Sequence, residues 1–166
     1  MRAHVLVAAS LFLASVGVPA RVSAQLTKQQ ETQIKNEVTA VGDSIMANFE
    51  RMDVNGALSY YAPDFVGFGA GGARFDLEYY RKYNLKLYES AASYKWTYYG
   101  TDFRVVTRDV VVVAWDGKNE LFYKSGDKMR ADPSHYTFAF KNVAGQWKLA
   151  YHHFSGKMVT EKAVPN

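Results

Sequence analysis

The chain changes its periodicity once, near Ser90, and that switch limits what it can fold into. Before it, apolar residues recur at helical intervals. Ile34, Val38, Val41, Ile45, Phe49 and Met52 fall three or four residues apart and line one face of a helix predicted from Thr27 to about Met52. Thr27 and Gln30 match a capping box, in which the hydroxyl accepts from the backbone three residues on and the amide reaches back. Gly42 is a cost in the helix interior that close packing would explain. Asp53 reads as a second N-cap, before a short helix carrying Leu58, Tyr60 and Tyr61 that Pro63 stops. Phe65 to Phe68 is a short strand, and Gly69, Gly71 and Gly72 form a loop. Phe75, Tyr79, Tyr83 and Leu87 then recur every fourth residue, predicting a helix from Phe75 to Glu89.

After Ser90 the interval becomes two. Tyr94 to Tyr98 alternates, Phe103 to Thr107 is strand-like, and Val110 to Trp115 is β-branched and apolar. Glu120 to Tyr123 extends that strand, and Lys124 to Asp127 is a turn. His135 to Lys141 puts Tyr136, Phe138 and Phe140 on one face; Asn142 to Gly145 turns; Gln146 to Ser155 is the last strand. Helices first and hairpin-linked strands later predict an α+β domain with antiparallel pairing. A chain of 166 residues suits one such domain.

Residues 1–24 read as a secretory signal peptide, with Arg2 at the start, an apolar run from Val5 to Ala14, and Val22-Ser23-Ala24 at the cleavage site. The run is shorter than the roughly 20 residues that cross a bilayer. The expectation is a periplasmic or secreted protein with no membrane attachment after cleavage. Loss of Arg2 and Arg21 lowers the formal charge of +4, and the remaining basic residues are scattered among acids, so nucleic acid is not an expected partner. With no cysteine there is neither a disulfide framework nor a thiolate metal site or nucleophile. Neither a cofactor nor a metal is expected: His152 and His153 diverge on a strand, His135 is alone, and no glycine loop carries a phosphate-binding lysine. The folded domain is predicted over residues 25–158, with residues 159–166 as a frayed tail.

Two motifs carry a resemblance. Gly145-Gln146-Trp147-Lys148-Leu149 followed by His153-Phe154-Ser155-Gly156, and Tyr60-Tyr61-Ala62-Pro63-Asp64-Phe65 at the junction of second helix and first strand, resemble the nuclear transport factor 2-like superfamily. That group includes SnoaL-like polyketide cyclases, ketosteroid isomerases and the association domain of calcium/calmodulin-dependent protein kinase II. The resemblance covers about Gln29 to Gly156 and is strongest to small exported bacterial domains of the group. It implies a cone, or cystatin-like roll: a curved antiparallel sheet around the long N-terminal helix, a cavity open at the wide end, and a homodimer formed through the outer sheet face.

Within that frame, strand alternation places Trp147, Leu149, Tyr151 and His153 together on the interior face and His152 on the other. His153 is therefore the candidate acid/base, with a packed, locally bonded histidine as the bland alternative. The aromatic residues Tyr61, Phe68, Tyr79, Tyr83, Trp96, Tyr98, Trp115, Tyr136 and Phe138 come from different elements. Of these, Tyr61, Phe68, Tyr83, Trp96, Tyr98, Trp115 and Tyr136, with Tyr151 and His153, are the ligand-binding candidates, since tyrosine offers both a ring and a hydroxyl. Asp64, Asp76 and Asp109 read as caps or turn residues, and Asp102 with Arg104 as a surface pair. No carboxylate matches the catalytic acid that the resemblance implies for isomerases or cyclases. Three readings stay open: a binding protein for a small organic ligand, an isomerase, cyclase or dehydratase using His153, and a homo-oligomeric assembly domain.

Overall fold

The computed structural model describes residues 26–163; the predicted signal peptide lies outside them. Helix α1 spans Lys28–Glu50, and both bonds of the Thr27–Gln30 capping box form. It buries Ile34, Val38, Ile45 and Phe49. Gly42 sits where a Cβ would come within 2.6 Å of Cη2 of Trp115, which accounts for a glycine in mid-helix. Asp53 caps α2 (Val54–Leu58) by accepting from the Gly56 N–H.

α2 ends well before Pro63. Tyr60 and Tyr61 leave the helix because Leu149 N–H donates to the Tyr60 carbonyl and draws this segment into the sheet. Strand β1 therefore begins early (Tyr61–Phe68), and Pro63 falls where its register against the last strand breaks, between Tyr61 and Val66. Phe75 is likewise taken from the predicted helix into β2 (Arg74–Asp76), so α3 runs Leu77–Glu89 from its Asp76 cap.

Four long strands follow: β3 (Ala91–Thr107), β4 (Val110–Tyr123), β5 (Lys128–Val143) and β6 (Gln146–Glu161). The two segments predicted in β3 are one strand with a register shift between Tyr98 and Gly100. The six strands form one sheet in the order β2-β1-β6-β5-β4-β3, antiparallel except for the parallel β1–β6 pair. The sheet curves around α1: Val111, Val113, Trp115, Phe138, Phe140, Trp147 and Leu149 share one core with the apolar face of that helix. Trp147 Nε1 donates to Glu37 Oε2 at 2.9 Å and ties the last strand to the first helix.

The α+β roll is as predicted, but part of the expected tail is ordered strand. Val159 pairs with Arg130 and Glu161 with Lys128, and Asp127 accepts from Lys162 and the Ala163 N–H. These partners extend β6 past the boundary set at residue 158.

Candidate functional site

The site depends on one irregularity in β6. The β5–β6 register steps from Phe140 opposite Leu149 to Ala139 opposite Tyr151, leaving Ala150 without an opposite residue. A one-residue bulge moves every side chain beyond it to the other face of the sheet. Trp147 and Leu149 point inward as predicted, but His152 rather than His153 follows them: His152 is 4% exposed and His153 lies outside. The expectation that His153 serves as an interior acid/base is corrected accordingly. Its ring lines a shallow, open groove with Ser155, Lys157 and the Gly69–Gly72 loop. Tyr151 also turns outward, where it packs against Phe68 at 5.9 Å.

Inside the roll lie two adjoining chambers. The outer has a volume of about 420 Å³ and the inner about 40 Å³. Phe49, Tyr80, Tyr94 and Tyr136 line both. Of the predicted residues, Tyr61, Trp96, Trp115 and Tyr136 meet around the inner chamber, and Tyr83 lines the outer one. Phe68, Tyr98, Tyr151 and His153 line neither. Tyr98 is left on the outside of the inner wall, its ring edge-on to Trp115 at 5.3 Å.

Sequence reasoning missed Tyr80, Tyr94 and His152. The signal for Tyr80 was present: Leu77, Tyr80, Asn84 and Tyr88 also recur at helical spacing, one position round from the face that was chosen. α3 packs that second face inward, burying Asn84, while Tyr79 and Tyr83 line the mouth at 59% and 49% exposure.

No Asp, Glu, Lys or Arg is among the described residues lining either chamber. Burial pushes up the pKa of the Tyr61, Tyr94 and Tyr136 hydroxyls and raises that of Tyr80 to about 12, so all four stay protonated and uncharged at neutral pH. Burial, and secondarily His153, pushes His152 down to about 4, so its imidazole is neutral. Five rings surround it: Phe65, Phe75, Tyr80, Tyr136 and Phe138, with centroids 5.4 to 5.9 Å away.

Two buried nitrogens in this wall lack a hydrogen-bond partner, Trp96 Nε1 and His152 Nδ1. Such a group costs roughly 1–3 kcal/mol when left unmet. By contrast, the Tyr136 hydroxyl accepts from Asn119 Nδ2, whose Oδ1 accepts from Ser134 Oγ at 3.0 Å. That fixes the amide and leaves the phenolic proton of Tyr136 free to be donated. The carboxylates weighed in the sequence line neither chamber, although Asp64, expected at a cap or turn, stands within β1 instead. Asp64 pairs with Lys141 on the surface, Asp76 caps α3, and Asp102 and Arg104 are exposed. The wall can therefore donate hydrogen bonds to a neutral guest and stack on it, and it holds one imidazole in its basic form.

A model of the SnoaL-like domain matches residues 38–160. Solved structures share the fold at low identity. A protein of Novosphingobium aromaticivorans provisionally assigned as a scytalone dehydratase is 10% identical, with a TM-score of 0.74 over 84% of this chain and 94% of its own. The type-3 hexachlorocyclohexane dehydrochlorinase LinA of Novosphingobium barchaimii is 11% identical, with a TM-score of 0.66 over 84% of this chain and 100% of its own. A nuclear transport factor 2-like superfamily protein of Salmonella enterica is 11% identical, with a TM-score of 0.67 over 76% of this chain and 92% of its own. At such identities the likeness is one of fold, not of reaction. No curated protein sequence matches the chain.

Proposed function

Because the chain belongs to the SnoaL-like domain family, we propose that its internal chambers bind a small, uncharged organic molecule. One observation carries this reading: a void of about 420 Å³, within the range of ligand pockets, is lined by aromatic and aliphatic side chains with a few polar atoms and no charge. A charged guest would lose its hydration without gaining a counter-ion there. The reading is tested by thermal unfolding with 2-naphthol and with 2-naphthalenesulfonate, which share a ring system and differ in charge. The neutral compound is expected to raise the Tm and the sulfonate to leave it unchanged; at a hundredfold excess over Kd the gain is about 2.7 kcal/mol. Equal shifts, or none from either, contradict it.

A second reading is favoured by one specific contact. The neutral imidazole of His152 stands beside Tyr136, with centroids 5.8 Å apart, so a base and a hydroxyl donor face the same chamber. Proton abstraction beside a carbonyl, as in an isomerase or dehydratase, would use that pair. Turnover of a carbonyl substrate at saturating concentration that is lost in His152→Phe, beyond any weakening of binding, would establish it; silence across a broad carbonyl panel leaves binding alone.

Export and homodimer formation belong to the same proposal. The apolar run at the N-terminus supports the first. The outward pair Phe68 and Tyr151 supports pairing of two copies through the sheet. Light scattering on the mature protein is expected to give twice the chain mass.

A further inference from the structure

The binding reading leaves open what kind of molecule enters, and two features of the wall bear on that. First, Trp96 Nε1 and His152 Nδ1 are unpartnered in residues only 7% and 4% exposed, and both line the inner chamber. An indole N–H can only donate, so it requires an acceptor. The inner chamber, about 40 Å³, exceeds the roughly 10–15 Å³ that admits one water-sized group and falls far short of a whole ligand. It takes a head group. Oxygen meets the demand of Trp96 and can bond to either tautomer of the imidazole if it is a hydroxyl, or to the protonated Nδ1 if it is a carbonyl. A carboxylate does not suit, because no cation lines the chamber.

Second, the outer chamber carries a ladder of rings. Phe75 stacks on Tyr80 at 5.0 Å and on Tyr79 at 6.2 Å, and Tyr79 stacks on Tyr83 at 6.4 Å with only 10° between planes. Tyr79 and Tyr83 remain about half exposed although they form this wall, so it is an apolar surface without a cover.

We propose that the cavity takes an elongated, uncharged molecule of at least two rings, whose single terminal hydroxyl or carbonyl oxygen meets Trp96 and His152 in the inner chamber and whose ring body lies against the Phe75–Tyr79–Tyr83 ladder. This rests on the binding reading but can fail separately from it. Dissociation constants of 4-phenylphenol, biphenyl and phenol, measured by tryptophan fluorescence on the full folded chain, test it without any mutation. The expected order is 4-phenylphenol about tenfold tighter than biphenyl, which lacks the oxygen, and tighter still than phenol, which lacks the second ring. Trp96→Phe is expected to bring 4-phenylphenol and biphenyl to within about twofold. Tyr79→Ser with Tyr83→Ser, both at exposed positions, is expected to weaken the two-ring compounds about tenfold and leave phenol unchanged.

Equal affinities for 4-phenylphenol and biphenyl in the wild-type protein would mean that a resident water meets the two nitrogens. That result overturns the proposed head group while leaving ligand binding intact. No binding by any of the three also overturns the proposal, and the naphthol and sulfonate comparison then decides whether the chambers bind anything. The wild-type comparison holds even where Trp96→Phe fails to fold.

Discussion

His152 is where local cost and proposed function meet. An imidazole in a cage of five rings, with one nitrogen unmet, is a poor choice for stability alone. Its consequence for pH follows from linkage. Burial holds the folded-state pKa at about 4 against an ordinary value of 6.5, so as pH falls the unfolded chain takes up the proton first. The contribution of His152 to stability is therefore constant above about pH 6.5 and declines between 6.5 and 4, by roughly 3 kcal/mol in all. Asp64, Glu120 and Asp127, whose pKa values are lowered chiefly by Lys141, by Lys128 and by the Ala163 N–H respectively, act in a lower window, below about pH 4.5. In urea denaturation the wild-type protein is thus expected to lose about 2 kcal/mol more than His152→Phe between pH 7 and pH 5. At pH 7 the Phe variant is expected to be at least as stable as the wild type, since it removes an unmet polar nitrogen. Parallel pH profiles would mean that His152 is hydrated or bonded in solution.

At the scale of elements, two contacts shape the inner chamber. The first is α1 against β4 at Gly42 and Trp115. Gly42→Ala is expected to destabilise by about 1–3 kcal/mol despite alanine's better helix propensity, because its Cβ would sit 2.6 Å from a buried indole. In a Trp115→Phe background the same change is expected to cost at least about 1 kcal/mol less, a coupling that a double-mutant cycle in denaturant measures. The second is the bulge in β6. Most elements were legible in the sequence: the capping box at Thr27, the Asp76 cap, the inward face of Tyr136, Phe138 and Phe140, and Gly42 as a packing glycine all follow from spacing and residue chemistry. The strand alternation used for Trp147 and Leu149 was also correct as far as Leu149. It failed at His152 because a bulge at alanine leaves no sequence mark, and one extra residue exchanges the two faces of the rest of the strand. The α3 face was misassigned for a different reason. Tyr79 and Tyr80 are neighbours, both faces of the helix are aromatic, and only docking against the sheet decides which one is buried. Pro63 misled because pairing with β6, a contact distant in sequence, outweighed local helix signals.

For the whole molecule, the roll holds two chambers beside its apolar core, and apolar wall left uncovered in them is stability not gained by packing. A guest that fills them is expected to stabilise the entire domain, because helices α1 and α3 and all six strands contribute to the lining. The three tryptophans report on this from different places: Trp96 and Trp115 line the inner chamber, and Trp147 is bonded to Glu37 beyond it. The most direct measurement is therefore the set of three indole N–H resonances in a nitrogen-15 spectrum, assigned by substitution and followed as 2-naphthol is added. The account expects the Trp96 proton to move downfield as it gains an acceptor, with Trp115 perturbed by the adjacent ring and Trp147 unmoved. A saturating titration that shifts other resonances and leaves Trp96 in place would contradict it.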